Sequence, residues 1–514
     1  MWNESVLNRL NEKLNASKNG GGSKRIEKQH LSGKLTARER LDILFDKDTF
    51  VEVGGLVESR ITDFGLESKK VPGDGVVTGY GKINGRLAFA SSEDFTVIGG
   101  TLGEYHSLKI CRIMDMAYET GAPFISINDS GGARIEEGIC SLSGYSGIFY
   151  RNTKLSGVVP QISVILGPCA GGACYSPAIS DFIFMSKDTS YMFITGPQVV
   201  KAVTGEEVTQ KELGSAEVHM NKSGVNHFVY ENDEKCLLGV RELLSYLPQN
   251  YKEKPAVKPF AYGKKCDDLQ EIISDNQRKT YNVKHLIDNL IDDDTFFEVQ
   301  KEFAKNMVVG FARMNGECIG IVANQPNYLG GSIDCNSSDK AARFIRFCDC
   351  FNIPILSLVD VTGFLPGKSQ EHQGIIRHGA KVLYSYSEAT VPKISLITRK
   401  AYGGAYIAMN SKNMGADIVF AWPIAQMAVM GAEGAVDIIF RRQIESANDK
   451  QAERAKLIND YEDKFMNPYI AAAHGYVDEI IMPENSRERI IKAFDMLKTK
   501  KVEQPGKKHG NMPL

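Results

Sequence analysis

The chain has 514 residues, 43% hydrophobic and 24% charged, a balance that excludes a disordered or fibrous protein. A formal charge of −2 argues against a protein devoted to nucleic acid. Ten cysteines without a CxxC pair argue against a zinc ribbon or a thioredoxin-like centre, and fit reduced core thiols in a cytosolic protein.

The N-terminus, MWNESVLNRLNEKLN, has no apolar h-region, so no secretory signal is expected. Residues 1–45 read as a polar helical preamble. The glycine run after Asn19 breaks it into a short helix and a second helix at 35–45, with Thr36 as N-cap. Alternation around glycines over 50–100 predicts strands and tight turns. A helical period follows over 103–120, then an apolar strand over 123–128 and another over 160–168. Residues 248–280, rich in Pro and Lys, read as the linker between an N-terminal domain, 1–250, and a C-terminal domain, 270–514. Helices are predicted over 338–351 and 374–390, strands over 354–360 and 393–399, and a helix start over 403–412. The longest apolar stretch, Asp417 to Phe440, carries Asp417, Pro423, Glu433 and Asp437, and reads as buried core rather than a membrane span. Residues 441–465 are charged and helical, and 498–514 read as a frayed tail.

This pattern occurs twice. DTFVEVG begins at Asp48 and DTFFEVQ at Asp294. Gly79, Gly85, Gly99–Gly100 and Pro123 return 231 residues later as Gly310, Gly316, Gly330–Gly331 and Pro354. Pro160 and Gly171–Gly172 return 232 residues later as Pro392 and Gly403–Gly404. Two similar domains follow, with strands and helices alternating in right-handed crossovers.

Glycine and backbone-shaping residues are repeated, not a reactive side chain. Each half holds two strand–glycine–helix junctions: NDSGGAR at 128–134 and GPCAGGAC at 167–174, then DVTGFLPG at 360–367 and KAYGGAY at 400–406. N–H groups at a helix start have no intrahelical acceptor, and glycine lets a ligand approach the backbone. Two such junctions meeting at one point make an oxyanion hole, in which each donor is worth about 3–4 kcal/mol. The duplication therefore predicts two holes, one per half.

Three motifs are decoys. DSGG around Ser130 resembles a protease nucleophile loop, but Val361 holds the serine position in the second copy. A serine hydrolase centred on Ser130 is the rival of another class. Gly363 to Ser369 is one residue short of a P-loop, and Pro366 lacks a needed donor. Cys169 and Cys174 flank a glycine pair and read as small core residues. The basic run of Lys24, Arg25, Lys28, His30, Lys34, Arg38 and Arg40 reads residue by residue as a solvated helix face, and alternatively as a docking surface for an acidic cofactor tail.

GKLTARERL, VVTGYGKINGR, INDSGGARIEEG, GPCAGGACYSPA, NIPILSLVDVTGFLPG and ATVPKISLITRKAYGGAY together resemble the carboxyltransferase subunit of biotin-dependent acyl-CoA carboxylases, of the propionyl-CoA carboxylase beta-chain and methylmalonyl-CoA decarboxylase alpha-subunit type. The resemblance covers nearly the whole chain. It implies an α/β fold of two tandem crotonase-like domains, each a superhelix of β-β-α units, with acyl-CoA on the N-terminal side and biotin on the C-terminal side.

It also implies the chemistry: transfer of a carboxyl group between carboxybiotin and the α-carbon of a short-chain acyl-CoA thioester, in either direction. Gly132, Ala133, Gly171 and Gly172 would serve the thioester. Thr362, Gly363, Phe364, Gly404 and Ala405 would serve biotin, with Tyr402 and Ile407 beside them. Arg25, Lys28 and His30 would meet the coenzyme A phosphates. No metal is implied. The sequence has no biotin-attachment motif of the AMKM type and no ATP-grasp signature. It therefore implies a biotin carboxyl carrier protein as partner, with a biotin carboxylase or a membrane decarboxylase subunit. A hexamer is implied, with each active site drawing on two chains. A cytoplasmic location is implied, with membrane association only through a partner.

Overall fold

The computed structural model describes residues 3–260, 266 and 269–511. The chain forms two compact units, Met1–Lys254 and Pro255–Leu514.

Each unit is built on one sheet. In the first, Val76–Ile83 and Arg86–Glu93 form a hairpin turned at Asn84 and Gly85, both at positive φ. Phe124–Ser130, Gln161–Ala170 and Phe182–Ser186 then add in parallel. The second unit repeats this with Met307–Met314, Glu317–Asn324, Ile355–Val361, Lys393–Tyr402 and Ile418–Ala421. The parallel strands are buried along nearly their whole length, as expected where both faces of a sheet are covered. Glu104–Thr120 ends at left-handed Gly121, and Cys335–Cys350 starts at Asp334, whose carboxylate caps Ser337. Two antiparallel strands, then a helix and a parallel strand, are the β-β-α turns expected for the crotonase-like fold.

From matching places on these two helices, Lys109 and Lys340 reach inward to backbone carbonyls. Lys109 Nζ donates to Gly73 O at 2.8 Å and to Val76 O, and Lys340 Nζ donates to Gln300 O and Phe303 O at 2.9 and 2.7 Å. Burial pulls the Lys109 ammonium down to about 8 and that of Lys340 to about 7.

Four expectations are corrected. The preamble holds three helices, Glu4–Asn19, Ser23–Leu31 and Ala37–Leu44, the last with Thr36 in a capping box with Glu39. The linker reading fails after Lys254. Ala256 O accepts from Arg313, while Cys266, Leu269 and Ile273 lie in the second core; the linker residues 261–265, 267 and 268 lie outside the described residues. The tail is pinned as far as Lys507. Lys500 Nζ bonds Asp417 Oδ2 at 2.8 Å, and Gln504 and Lys507 both bond Glu388. The stretch from Asp417 to Phe440 is core only in part: Ile418–Ala421 is a packed strand, but helix Ala432–Ile439 exposes Ile438 and Ile439. Among the described residues no helix is long and apolar enough to cross a membrane.

Candidate functional site

In each unit two neighbouring parallel strands end at the glycine junctions. Asn128 lies opposite Ile165, but Ser130 lies opposite Cys169; Val359 lies opposite Ile397, but Val361 opposite Ala401. Both longer strands thus carry two extra residues at the same place. The carboxylates of Asp129 and Asp360 occupy these irregularities. A methyl group on Gly167 would stand 1.9 Å from Asp129 Oδ1, and Lys400 N donates to Asp360 Oδ1 at 3.2 Å.

Past these strands the main chain is fixed by one bridge per unit. Leu102 N donates to Gly132 O and Arg134 N to Leu102 O, both at 2.9 Å. Ile333 N donates to Gly363 O at 3.0 Å and Leu365 N to Ile333 O at 2.8 Å. The amides between these contacts, Ala133 N and Phe364 N, face away from the bridge. Gly132 and Gly363 have φ of +101° and +148°, a turn that glycine makes without strain. At the second junction Gly171 and Gly403 have φ of +65° and +60°. Gly172 and Gly404 follow in the first helical turn, where their N–H groups have no intrahelical acceptor.

Side chains behind the junctions set these positions. Ser130 is fully buried; its hydroxyl donates to Gly100 O at 2.7 Å and accepts from Gly132 N at 3.1 Å. The hydroxyl is thus a backbone tie, not a nucleophile, and it leaves Ala133 rather than Gly132 as the open donor. The Tyr145 ring backs Gly172, where a methyl group would stand 3.1 Å from its Cδ2. The Phe364 ring lies beside Gly404, 3.8 Å from the corresponding point. Arg134, also fully buried, bonds Asp74 at 2.8 Å and Glu137 at 2.7 Å, and so anchors the residue after Ala133.

Charge is concentrated beneath the site. Asp129 meets Lys34 at 2.9 Å and Arg40 at 3.0 Å, and Arg40 also holds Asp233 at 2.9 Å. Asp360 meets Arg399 at 3.0 Å. Glu93 accepts from Asp129 N at 2.9 Å, and burial, together with the Asp129 charge, pushes its carboxyl up to about 8. Lys34 and Arg40 are thus buried, not the solvated face their basic run suggests; the matching of Asp129 with Asp360 is the sequence signal for a buried cation at each position. Nothing in the sequence singled out Glu93, Arg134 or Tyr145.

The remaining candidates divide. Arg25 and Lys28, three apart on helix Ser23–Leu31, line a cleft of about 550 Å³ with Phe95, Gly99, Pro168 and Tyr191. Gly99 O accepts from Gly131 N at 3.0 Å, so this cleft adjoins the first junction. His30, five residues from Arg25, leaves that face, bonds Glu39 at 2.9 Å and lines a separate cavity. Thr362 Oγ1 bonds Ser332 Oγ at 2.7 Å. Tyr402 is buried, and its hydroxyl donates to Gln426 Oε1 at 2.5 Å. Ala405 is buried and contributes backbone, whereas Ile407 is 46% exposed. Cys169 and Cys174 are buried, and Cys174 Sγ donates to Cys169 O. No cluster among the described residues has the ligands for a metal ion.

Residues 28–512 match the family model described as carboxyl transferase domain. The chain is 55% identical to the propionyl-CoA carboxylase carboxyltransferase subunit of Haloferax mediterranei, covering 100% of both chains. It is also 55% identical to the methylmalonyl-CoA decarboxylase subunit alpha of Propionigenium modestum, over 96% of both. A solved structure of the transcarboxylase 12S hexamer, with methylmalonyl-coenzyme A bound, superposes with a TM-score of 0.97 at 52% identity, covering 100% of this chain and 99% of that one.

Proposed function

The chain belongs to the carboxyl transferase domain family, and from that premise we propose that it moves a carboxyl group between biotin on a carrier protein and the α-carbon of a short-chain acyl-CoA, of the propionyl/methylmalonyl type. The observation that carries this reading is the duplicated pair of open main-chain donors, Ala133 with Gly172 and Phe364 with Gly404. They hold oxygen atoms that gain negative charge and supply no acid, base or nucleophile.

We assign the thioester carbonyl to Ala133 N and Gly172 N, with Gly132 and Gly171 shaping the turns. As the α-carbon becomes an enolate, these donors stabilise the charge on its oxygen. The cleft at Arg25 and Lys28 adjoins this hole and presents two cations to the coenzyme A phosphates. The ureido oxygen is assigned to Phe364 N and Gly404 N, with Thr362, Gly363 and Ala405 setting the backbone around them. Space beside the turn supports this: apart from Thr362, Gly363 and Phe364 themselves, no heavy atom lies within 4 Å of the point where a side chain on Gly363 would start. Biotin, bound to another protein, supplies the carboxyl group and the base for the α-proton. Exposed Ile407 follows the second junction and is assigned to its rim.

The working assembly is proposed as a hexamer that engages a biotin carrier and either a biotin carboxylase or a membrane decarboxylase subunit. The purified chain, given methylmalonyl-CoA and free biotin, should form propionyl-CoA and carboxybiotin without ATP. Strict dependence on ATP, or failure to bind coenzyme A, overturns the reading.

A further inference from the structure

Glu93 and Asn324 stand 231 residues apart at the ends of equivalent strands, Arg86–Glu93 and Glu317–Asn324. They do the same backbone work. Glu93 Oε2 accepts from Asp129 N at 2.9 Å, and Asn324 Oδ1 accepts from Asp360 N at 3.4 Å. A neutral amide is enough for this task in the second unit, so the carboxyl in the first serves something further. Its neighbours differ in the same direction. Ser91, His106, Asn128 and Ser130 answer to Val322, Ser337, Val359 and Val361 in the second unit. The ring beside Gly172 is Tyr145, whereas the ring beside Gly404 is Phe364, which has no hydroxyl. At these positions a polar, titratable cluster stands behind the thioester-side hole and not behind its counterpart.

Hydrogen-bond geometry locates the proton in this cluster. His106 is fully buried, and its Nδ1 lies 3.0 Å from Asp74 O. A carbonyl oxygen only accepts, so Nδ1 carries the hydrogen and Nε2 of the neutral ring keeps its lone pair. Nε2 faces Glu93 Oε1 at 3.9 Å and has no hydrogen-bond partner among the described residues. A carboxylate there would set two acceptors against each other, whereas a carboxylic acid supplies the missing donor. Burial and the charges of Arg134 and Lys109 keep the imidazole from taking the proton itself. Around Glu93, the Asp129 charge opposes ionisation and the Arg40 charge favours it. Tyr145 and Cys169 also face it and are neutral, the phenol raised by burial and the thiol by its contact with Cys174 and by burial.

We infer that Glu93 is a positioning residue for the thioester-side hole, a neutral acid whose proton is kept against His106 so that no charge stands behind the hole when the enolate forms. This rests on the carboxyltransferase reading. Through Asp129 N, Glu93 fixes the strand end that leads to Ser130 and Gly132. Its carboxyl also lines one small cavity, of about 20 Å³, with Ser126, Asn128, Tyr145 and Ala173, the residue after Gly172. That is space for about one water molecule, too little solvent to screen a charge placed on Glu93. Ionised, Glu93 would oppose the negative charge that Ala133 N and Gly172 N are set to stabilise. The proton stays on Glu93 throughout carboxyl transfer; it is neither given to the substrate nor taken from it.

The experiment follows transfer from methylmalonyl-CoA to free biotin by the full-length protein. Between about pH 7 and about pH 9 the parent's kcat is expected to fall about tenfold, as an acid with a value of about 8 ionises, while KM for methylmalonyl-CoA changes less than about twofold. Glu93→Gln keeps an acceptor for Asp129 N and a donor for His106 Nε2. Its kcat near pH 7 should stay within about threefold of the parent's and remain level to about pH 9. Infrared spectra read the same group without turnover. The carbonyl stretch of a protonated carboxylic acid should be present at neutral pH, fade with the midpoint of kcat, and be missing in Glu93→Gln. A level kcat in the parent, or a fall that persists in Glu93→Gln, overturns the inference. If Glu93→Gln does not fold, the parent alone decides: coincident midpoints of kcat and the infrared band support the role, and separate midpoints refute it. The two readings fail differently. A protonated acid in a parent that transfers nothing to biotin defeats the functional reading and the role of Glu93 with it. Transfer without a protonated acid defeats this inference alone.

Discussion

Gly167 and Arg399 stand at equivalent places in the two halves, and the difference between them decides how each half neutralises the same buried carboxylate. Gly167 leaves space that Asp129 fills, and Arg40 comes from helix Ala37–Leu44 to meet it at 3.0 Å. In the second half the cation is on the strand itself, Arg399 on Asp360 at 3.0 Å.

Removing either arginine leaves a buried carboxylate short of its partner. Arg399→Gln and Arg40→Gln are each expected to cost about 3–5 kcal/mol in urea unfolding. Lys34→Gln should cost less, because Arg40 still holds Asp129. An equal loss for Lys34→Gln and Arg40→Gln would show that Asp129 does not depend chiefly on the guanidinium.

The two holes should separate by ligand. Gly172 is not at positive φ, so valine is tolerated by the backbone, but its branches meet the Tyr145 ring and the space above Gly172. Gly172→Val should lose acyl-CoA binding. Gly404→Val, whose first carbon stands 3.8 Å from the Phe364 ring, should keep coenzyme A binding while turnover with biotin falls about 10²–10³-fold. Calorimetry with coenzyme A and the exchange assay read the two effects. Equal loss of coenzyme A binding in two folded variants refutes the assignment of one ligand to each hole.

Ser130→Ala removes a tie to Gly132 N and Gly100 O, not a nucleophile. It should lower stability by about 1–3 kcal/mol and keep measurable carboxyl transfer. The parent enzyme should not react with a fluorophosphonate probe. Labelling at Ser130, with all turnover lost in the alanine variant, would restore the hydrolase reading.

Glu93 gives a pH signature. Its carboxyl rises from an ordinary value of 4.5 to about 8 through burial, so between these limits the folded state binds more protons than the unfolded state. Its contribution to stability is fully present below about pH 4.5 and is lost as pH rises through about 8. Glu93→Gln keeps an acceptor for Asp129 N and removes the titration. Unfolding free energy measured from pH 5 to 8 should fall less steeply in the variant than in the parent. Identical slopes contradict the raised value.

The duplication was legible because glycines at positive φ, such as Gly171 and Gly403, record backbone shape directly in the sequence. Charge was harder to read. Lys34 and Arg40 sit in a basic run that also suits a solvated face, and only the fold brings Asp129 to them across about a hundred residues. Helix Ser23–Leu31 is hidden in the sequence by the three glycines that precede it, although Gly22 serves as its N-cap. The tail reads as frayed because Lys500 and Lys507 find their acceptors far back in the chain, at Asp417 just before a strand and at Glu388 on the end of a helix. Proximity in sequence places His30 with Arg25 and Lys28, whereas helical rotation carries it to another face.

The open donors at Ala133 and Phe364 belong to two residues with nothing chemically in common except a peptide bond. Reagents that find enzymes by their reactive side chains have nothing to capture at either hole, so activity-based profiling would pass over this protein as inert. Inhibitors would have to imitate the shape and charge of an enolate or a ureido anion. Resistance to such a compound would arise at residues that move the main chain, such as Tyr145, Arg134 or Phe364, with no substitution at any atom the compound touches.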